Sequence, residues 1–208
     1  MHLPPKHIEE QQNAIAARVP SLGLGFEKIA LDAAIHRRLL DHFHANARNF
    51  RAESEPGTED ILLRTENDRA HPALLFFDEA FNQALMQDLK PRHEAWSGMP
   101  LENSACYGIR VYQSGSYLYN HVDHTNTHVV SSTICVDHRL NSPWPLYIED
   151  HDGIPHEISI EPGEMVFYES AKLVHGRPYT MDGDFYASIF VHYRPLDWAV
   201  PPEGSLAG

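Results

Sequence analysis

From Ser104 onward the sequence breaks into short β-prone runs separated by turn dipeptides, and this rhythm limits what the chain can fold into more than any other feature. Cys106–Tyr112, His128–Val136, Leu146–Glu149, Glu157–Ile160, Met165–Tyr168 and Phe185–Tyr193 are rich in β-branched and aromatic residues. Ser114-Gly115, Asp152-Gly153, Pro162-Gly163 and Asp182-Gly183 punctuate them, and Asp152-Gly153 between two runs is a strong hairpin signal. Six or more short strands without intervening helices predict a mainly β fold, an antiparallel sandwich or jelly roll.

The first hundred residues read differently. Ile35, Leu39, Leu40 and Phe43 recur at helical spacing within Leu31–Phe50, with Asp32 placed to cap. A second helix is expected from about Asp78 to Leu89, with Pro91 stopping it, and a weaker candidate spans Ile8–Val19. The polar stretch Arg51–His71, containing Glu55-Pro-Gly57, is long for a plain connection and is expected at the mouth of a site. At 208 residues and 42% hydrophobic content the chain suits one domain: helical support over 1–103, a β core over 104–195 and a tail over 196–208.

Charge narrows the partners. Sixteen Lys and Arg face 29 acidic residues, a net −13, which argues against general nucleic-acid binding. No run approaches the roughly 18 apolar residues of a membrane span, and the N-terminus lacks the apolar core of a signal peptide, so a cytoplasmic protein is expected. Cys106 and Cys135, without CxxC spacing, read as reduced core thiols.

His121-Val-Asp123 carries the chemistry. Residues two apart on a strand project to one side, so His121 and Asp123 can reach a common ion, and His175 can supply a second imidazole from elsewhere in the sheet. Two His and one carboxylate form the facial set that holds non-haem Fe(II) and leaves positions open. His124 faces away in that register; His36, His93, His138, His151 and His156 are expected at the surface. Ser131, Ser132 and Thr133 have no base partner in a nucleophilic arrangement, and no GxSxG, HExxH or phosphate loop occurs.

The order Tyr112-Gln-Ser-Gly115, His121-Val-Asp123, Glu161-Pro-Gly-Glu164, Met165-Val-Phe-Tyr168, His175-Gly176 and Gly183-Asp-Phe-Tyr-Ala-Ser188 resembles the prolyl 4-hydroxylase branch of the Fe(II)/2-oxoglutarate dioxygenases over residues 105–195. The resemblance implies a double-stranded β-helix, a cupin-like jelly roll, with Fe(II) held by His121, Asp123 and His175. It further implies 2-oxoglutarate and O2 as co-substrates, ascorbate to keep the iron reduced, and hydroxylation of an unactivated C–H bond with release of succinate and CO2. The substrate would be a small molecule, a free amino acid, or a prolyl or other residue of a peptide or protein. Family members place a Lys or Arg about ten residues after the distal His to pair with the far carboxylate of 2-oxoglutarate, whereas this chain has Asp184-Phe185-Tyr186 there. Arg177 is the expected replacement, Arg110 the second choice, and Tyr112 stands where a phenol often meets the co-substrate. Asp123 fills the carboxylate position that family halogenases vacate. The competing readings are a non-catalytic cupin-like metal- or ligand-binding protein, which would not need a carboxylate clamp, and a zinc hydrolase, which would need a further general base.

Overall fold

The computed structural model describes residues 11–12, 15, 18–53, 73–196 and 198–199. Twelve strands among these form two sheets. The large sheet runs β1 (Phe26–Ala30), β10 (Glu164–Tyr168), β7 (Val130–Leu140), β12 (Gly183–Pro195), β5 (Ile109–Gln113), β3 (Leu74–Phe76) and β2 (Arg51–Ala52), with β4 (Leu101–Ala105) also paired to β12. The small sheet is β6 (Leu118–His121), β11 (His175–Arg177), β8 (Leu146–Glu149) and β9 (Pro155–Ile158). Every recorded pairing is antiparallel. Apart from the β8–β9 hairpin, which stays in the small sheet, the chain alternates between sheets from β5 to β12, which is the jelly-roll winding of a double-stranded β-helix.

Period-two alternation on β12 divides the interior. Ala187, Ile189, Val191 and Tyr193 join a buried cluster with Leu39, Leu85, Met86 and Leu89 of the helices, while Tyr186 and Phe190 pack with Tyr112, Cys135, Trp144 and Val166 between the sheets. The helices therefore lie on the outer face of the large sheet, and the space between the sheets is left for a site. Helix α1 (Ala33–Ala45) begins where Asp32 accepts from the Ala34 and Ile35 amides and ends at Asn46, short of Phe50.

Helix α2 (Glu79–Ser97) does not stop at Pro91. Proline frees the carbonyl four residues earlier, here that of Gln87, and both residues are exposed, so water can take over that hydrogen bond. The helix ends instead at Gly98, whose left-handed φ of 67° closes the last turn. The extension carries His93 onto the buried face of Leu85 and Leu89; it is a 0% exposed core residue rather than a surface histidine.

Residues 1–103, expected to be helical support, also contribute β1, β2, β3 and the start of β4, which were not expected. These short strands take their conformation from the edges of β10, β5 and β12, and local pattern does not reveal such partners. The Asp152-Gly153 turn does join β8 to β9. Residues 54–72, most of the loop expected at the mouth of the site, and most of the Ile8–Val19 candidate helix lie outside the described residues. No described helix is long and apolar enough to cross a membrane. Both cysteines are free and buried.

Candidate metal centre

His121 is the last residue of β6 and pairs directly with His175, the first residue of β11. Asp123 is not on the same strand as His121; it lies just past the end of β6, where its amide donates to Ser170 O at 2.9 Å and its carbonyl accepts from Gln11 Nε2 at 2.7 Å. The strand-alternation rationale for the pair is thus wrong in detail, yet the three side chains converge, with ligand atoms all within 4.8 Å of one another. Asp123 Oδ1 is 3.4 Å from His121 Nε2 and 3.8 Å from His175 Nε2.

Both imidazoles are oriented alike. His121 Nδ1 donates to Tyr119 O at 2.7 Å and His175 Nδ1 to Leu173 O at 2.8 Å, which selects for each ring the tautomer whose Nε2 lone pair faces the carboxylate. Burial pushes the His175 pKa down to about 4, with His121 adding to the shift, which keeps the ring unprotonated near neutrality. Burial alone would raise the Asp123 pKa, but the imidazoles of His175, His121 and His128 outweigh it and hold the carboxyl well below its usual range. Two neutral nitrogens and one carboxylate oxygen, aimed together and locked from behind, fit a divalent first-row ion.

Arg177 lies two residues along β11 from His175 and is, like it, 3% exposed. Its guanidinium donates to Tyr186 OH at 2.9 Å and to Trp144 O, with Cζ 4.4 Å from the Tyr186 ring and 4.6 Å from the Trp144 ring. Among the described residues, no carboxylate forms an ion pair with it. The Arg177 guanidinium on β11 thus meets the hydroxyl end of Tyr186 on β12. Arg110 differs: its Nε and Nη2 form a two-pronged bond to Glu53 at 2.8 and 2.5 Å. Tyr112 is fully buried, with its hydroxyl beside the Arg110 guanidinium but without a well-formed hydrogen bond among the described residues.

Sequence reasoning missed two histidines. His128 and His192 are buried with ring centroids 3.8 Å apart, and their nitrogens lie within 4.8 Å of an Asp123 oxygen. His192 Nδ1 bonds Ser131 Oγ at 2.7 Å, and His93 Nε2 bonds Ser132 Oγ at 2.9 Å, so both serines do have imidazole partners. The alternation that puts Tyr186 and Phe190 inside also puts His192 there, and that signal was present in the sequence; nothing local marks His128. His138 is 3.1 Å from Glu161, His151 2.8 Å from Glu169 and His156 2.8 Å from Asp150, so none of the three is a free surface group.

No family model matches this sequence, and no curated protein does. Solved structures do. A Pseudomonas putida prolyl-4-hydroxylase superposes at TM-score 0.62, covering 90% of this chain and 98% of its own, with 18% identity. An oxidoreductase of the 2OG-Fe(II) oxygenase family from Burkholderia pseudomallei gives 0.59 over 92% of each chain at 16% identity. A Streptomyces hygroscopicus protein solved with nickel, 2-oxoglutarate and hygromycin B gives 0.59, covering 91% of this chain and 88% of its own at 11% identity. The fold is that of the 2-oxoglutarate–Fe(II) oxygenases. On that double-stranded β-helix, His121, Asp123 and His175 sit at adjoining ends of β6 and β11, and Arg177 lies deeper on β11.

Proposed function

We propose that this chain is an Fe(II)- and 2-oxoglutarate-dependent oxygenase that hydroxylates an unactivated C–H bond and releases succinate and CO2. The observation that carries the reading is Arg177. A guanidinium buried without a counter-ion is costly unless a ligand supplies the negative charge. It lies one strand residue beyond the neighbour of His175, so a short dianion could meet the metal at one end and the fork at the other. A binding module without a co-substrate has no use for such an arrangement.

His121 Nε2, His175 Nε2 and an Asp123 oxygen would hold Fe(II), with one face left for co-substrate. When bound, the iron supplies oxygen activation coupled to decarboxylation of 2-oxoglutarate. The residues do the rest. Tyr119 O and Leu173 O keep both imidazoles in the tautomer that leaves Nε2 free. Trp144 and Tyr186, packed edge to face on each other, both lie against the Arg177 fork, fixing it for two-pronged recognition of the far carboxylate and excluding water around it. Tyr112 belongs to the same ring cluster, and its hydroxyl, beside the Arg110 guanidinium, would donate to the co-substrate. The substrate is an amino acid, free or within a peptide, or another small metabolite.

The test is to load the protein anaerobically with Fe(II), measure metal content, admit oxygen with 2-oxoglutarate, and follow succinate. One iron per chain and 2-oxoglutarate-dependent succinate, even slow and without a primary substrate, are expected. Failure to bind iron, or succinate no faster than with iron and buffer alone, would sink the reading.

A further inference from the structure

The ion pair between Arg110 and Glu53 is oddly placed for a structural one. On β5, Ile109 and Val111 point to the helix-side core and Tyr112 to the space between the sheets, so Arg110, of the same parity as Tyr112, also points inward. Its cross-strand neighbour on β12 is Ser188, and its guanidinium lies over the Phe190 ring at 5.4 Å. Glu53 reaches it from the end of β2, and the side chains are only 12% and 4% exposed. A charge pair between the sheets, rather than on the surface, carries a desolvation cost that packed apolar residues would not.

Three further features tie this pair to the interior that holds the metal ligands. Phe190 stands on the central strand of the large sheet, between fully buried neighbours, yet it is itself only partly buried. Ser188 Oγ is buried opposite Arg110 with no hydrogen-bond partner among the described residues, and the buried Tyr112 hydroxyl lies against the Arg110 guanidinium. The Arg110 charge also acts on Tyr168 and His192, both of which interact with Asp123. The pair therefore borders the same interior as the metal ligands, with Phe190 as an apolar floor between.

Both partners keep unused capacity. Glu53 engages Nε and Nη2 of Arg110, leaving Nη1 free of it, and each carboxylate oxygen can accept a further bond. A ligand carrying only a carboxylate would satisfy Arg110 but displace Glu53 into a buried, unpaired state. A ligand carrying only an ammonium would do the reverse. A zwitterion answers both charges at once, because its carboxylate and ammonium sit on neighbouring atoms and can enter between the two side chains without leaving either bare.

We propose that Arg110 and Glu53 form the recognition site for the head group of a free α-amino acid substrate. Arg110 takes the carboxylate, Glu53 takes the ammonium, and the side chain runs over Phe190 toward the metal. This inference rests on the oxygenase reading and narrows it to a free amino acid rather than a residue inside a peptide, whose amide-linked backbone has neither charge.

The probes are the standard L-amino acids, one at a time, each with its carboxamide and its N-acetyl derivative. Binding is read by calorimetry and melting shift on the anaerobic Fe(II)- and 2-oxoglutarate-loaded protein, and coupled turnover by succinate. At least one free amino acid is expected to bind and to raise succinate formation, with both derivatives weaker by about 30-fold or more, the loss typical of stranding one buried charge. The double variant R110M/E53Q, which removes both charges and so avoids leaving one unpaired, should lose discrimination among the three forms while still binding iron. Equal or tighter binding of the N-acetyl or carboxamide form would overturn the proposal in favour of a peptide or uncharged substrate. So would failure of every free amino acid to bind. Because binding is measured without turnover, either result decides the cradle separately from the oxygenase reading, which stands or falls on iron content and basal succinate.

Discussion

His121 and His175 face each other as direct cross-strand partners on β6 and β11, and Nδ1 of each bonds the carbonyl two residues before it. Their separation is thereby fixed by backbone pairing. Asp123 closes the set from a loop, tied by its amide to Ser170. Asp123→Ala is expected to weaken iron binding by more than about 100-fold, beyond what loss of a supporting partner alone costs. Iron content and succinate should fall together while the metal-free melting temperature stays close to wild type. An active variant with full iron would remove Asp123 from the ligand set.

Gly176 couples the two halves of the site. A Cβ there would stand 2.6 Å from Asn120 Oδ1 and 2.8 Å from Tyr119 O, so any larger residue pushes β11 off β6. The shift would move His175 and Arg177 at once. Gly176→Ala should therefore weaken iron and 2-oxoglutarate binding together, each by about tenfold or more. A variant that lost one affinity and kept the other would show the two sites to be mechanically independent.

Arg177→Met separates clamp from ligand. Loss of the fork should cost about 2–5 kcal/mol in 2-oxoglutarate binding, the range for removing one partner of a desolvated charge pair. Iron affinity should be nearly unchanged. Because the charge has no carboxylate partner among the described residues, the variant's thermal stability without co-substrate should equal or exceed wild type. Titration of 2-oxoglutarate and a melting curve check both halves; an unaltered dissociation constant would remove Arg177 from the site.

The fold class and the convergence of His121, Asp123 and His175 were legible because they rest on local signals: β-prone runs, turn dipeptides and a short spaced motif. What was not legible depends on partners distant in sequence. β1, β2 and β3 are strands because of the edges they meet. His93 is buried because the helix continues past a proline whose freed carbonyl faces water. The Arg110–Glu53 pair joins positions 57 residues apart, and no pattern in either neighbourhood announces it.

Pro91 offers a direct test of that helix. Pro91→Ala restores a donor for the Gln87 carbonyl and a residue of far better helix propensity, against a small loss from a more flexible unfolded chain. A gain of about 1–2 kcal/mol is expected, seen as a higher melting temperature with unchanged iron binding. A loss of stability would mean that the ring makes packing contacts of value at this exposed position.

His93 makes the stability depend on pH. Its ring is buried, with Nδ1 donating to Leu89 O and Nε2 accepting from Ser132 Oγ, both at 2.9 Å, and burial pushes its pKa down to about 4. In the unfolded chain a histidine titrates near 6.5. As pH falls between those values, the unfolded state takes up a proton that the folded state refuses, so stability is full above about pH 6.5 and declines toward about pH 4. The depressed pKa corresponds to about 3 kcal/mol over that window. His93→Gln keeps a donor and an acceptor but does not titrate. Denaturant unfolding of both proteins with chelator present isolates the effect, because the other buried histidines contribute equally to each and cancel in the difference. The wild-type stability, relative to the variant, should fall by about 3 kcal/mol across the window, and a flat difference would mean that His93 is not held neutral in the core.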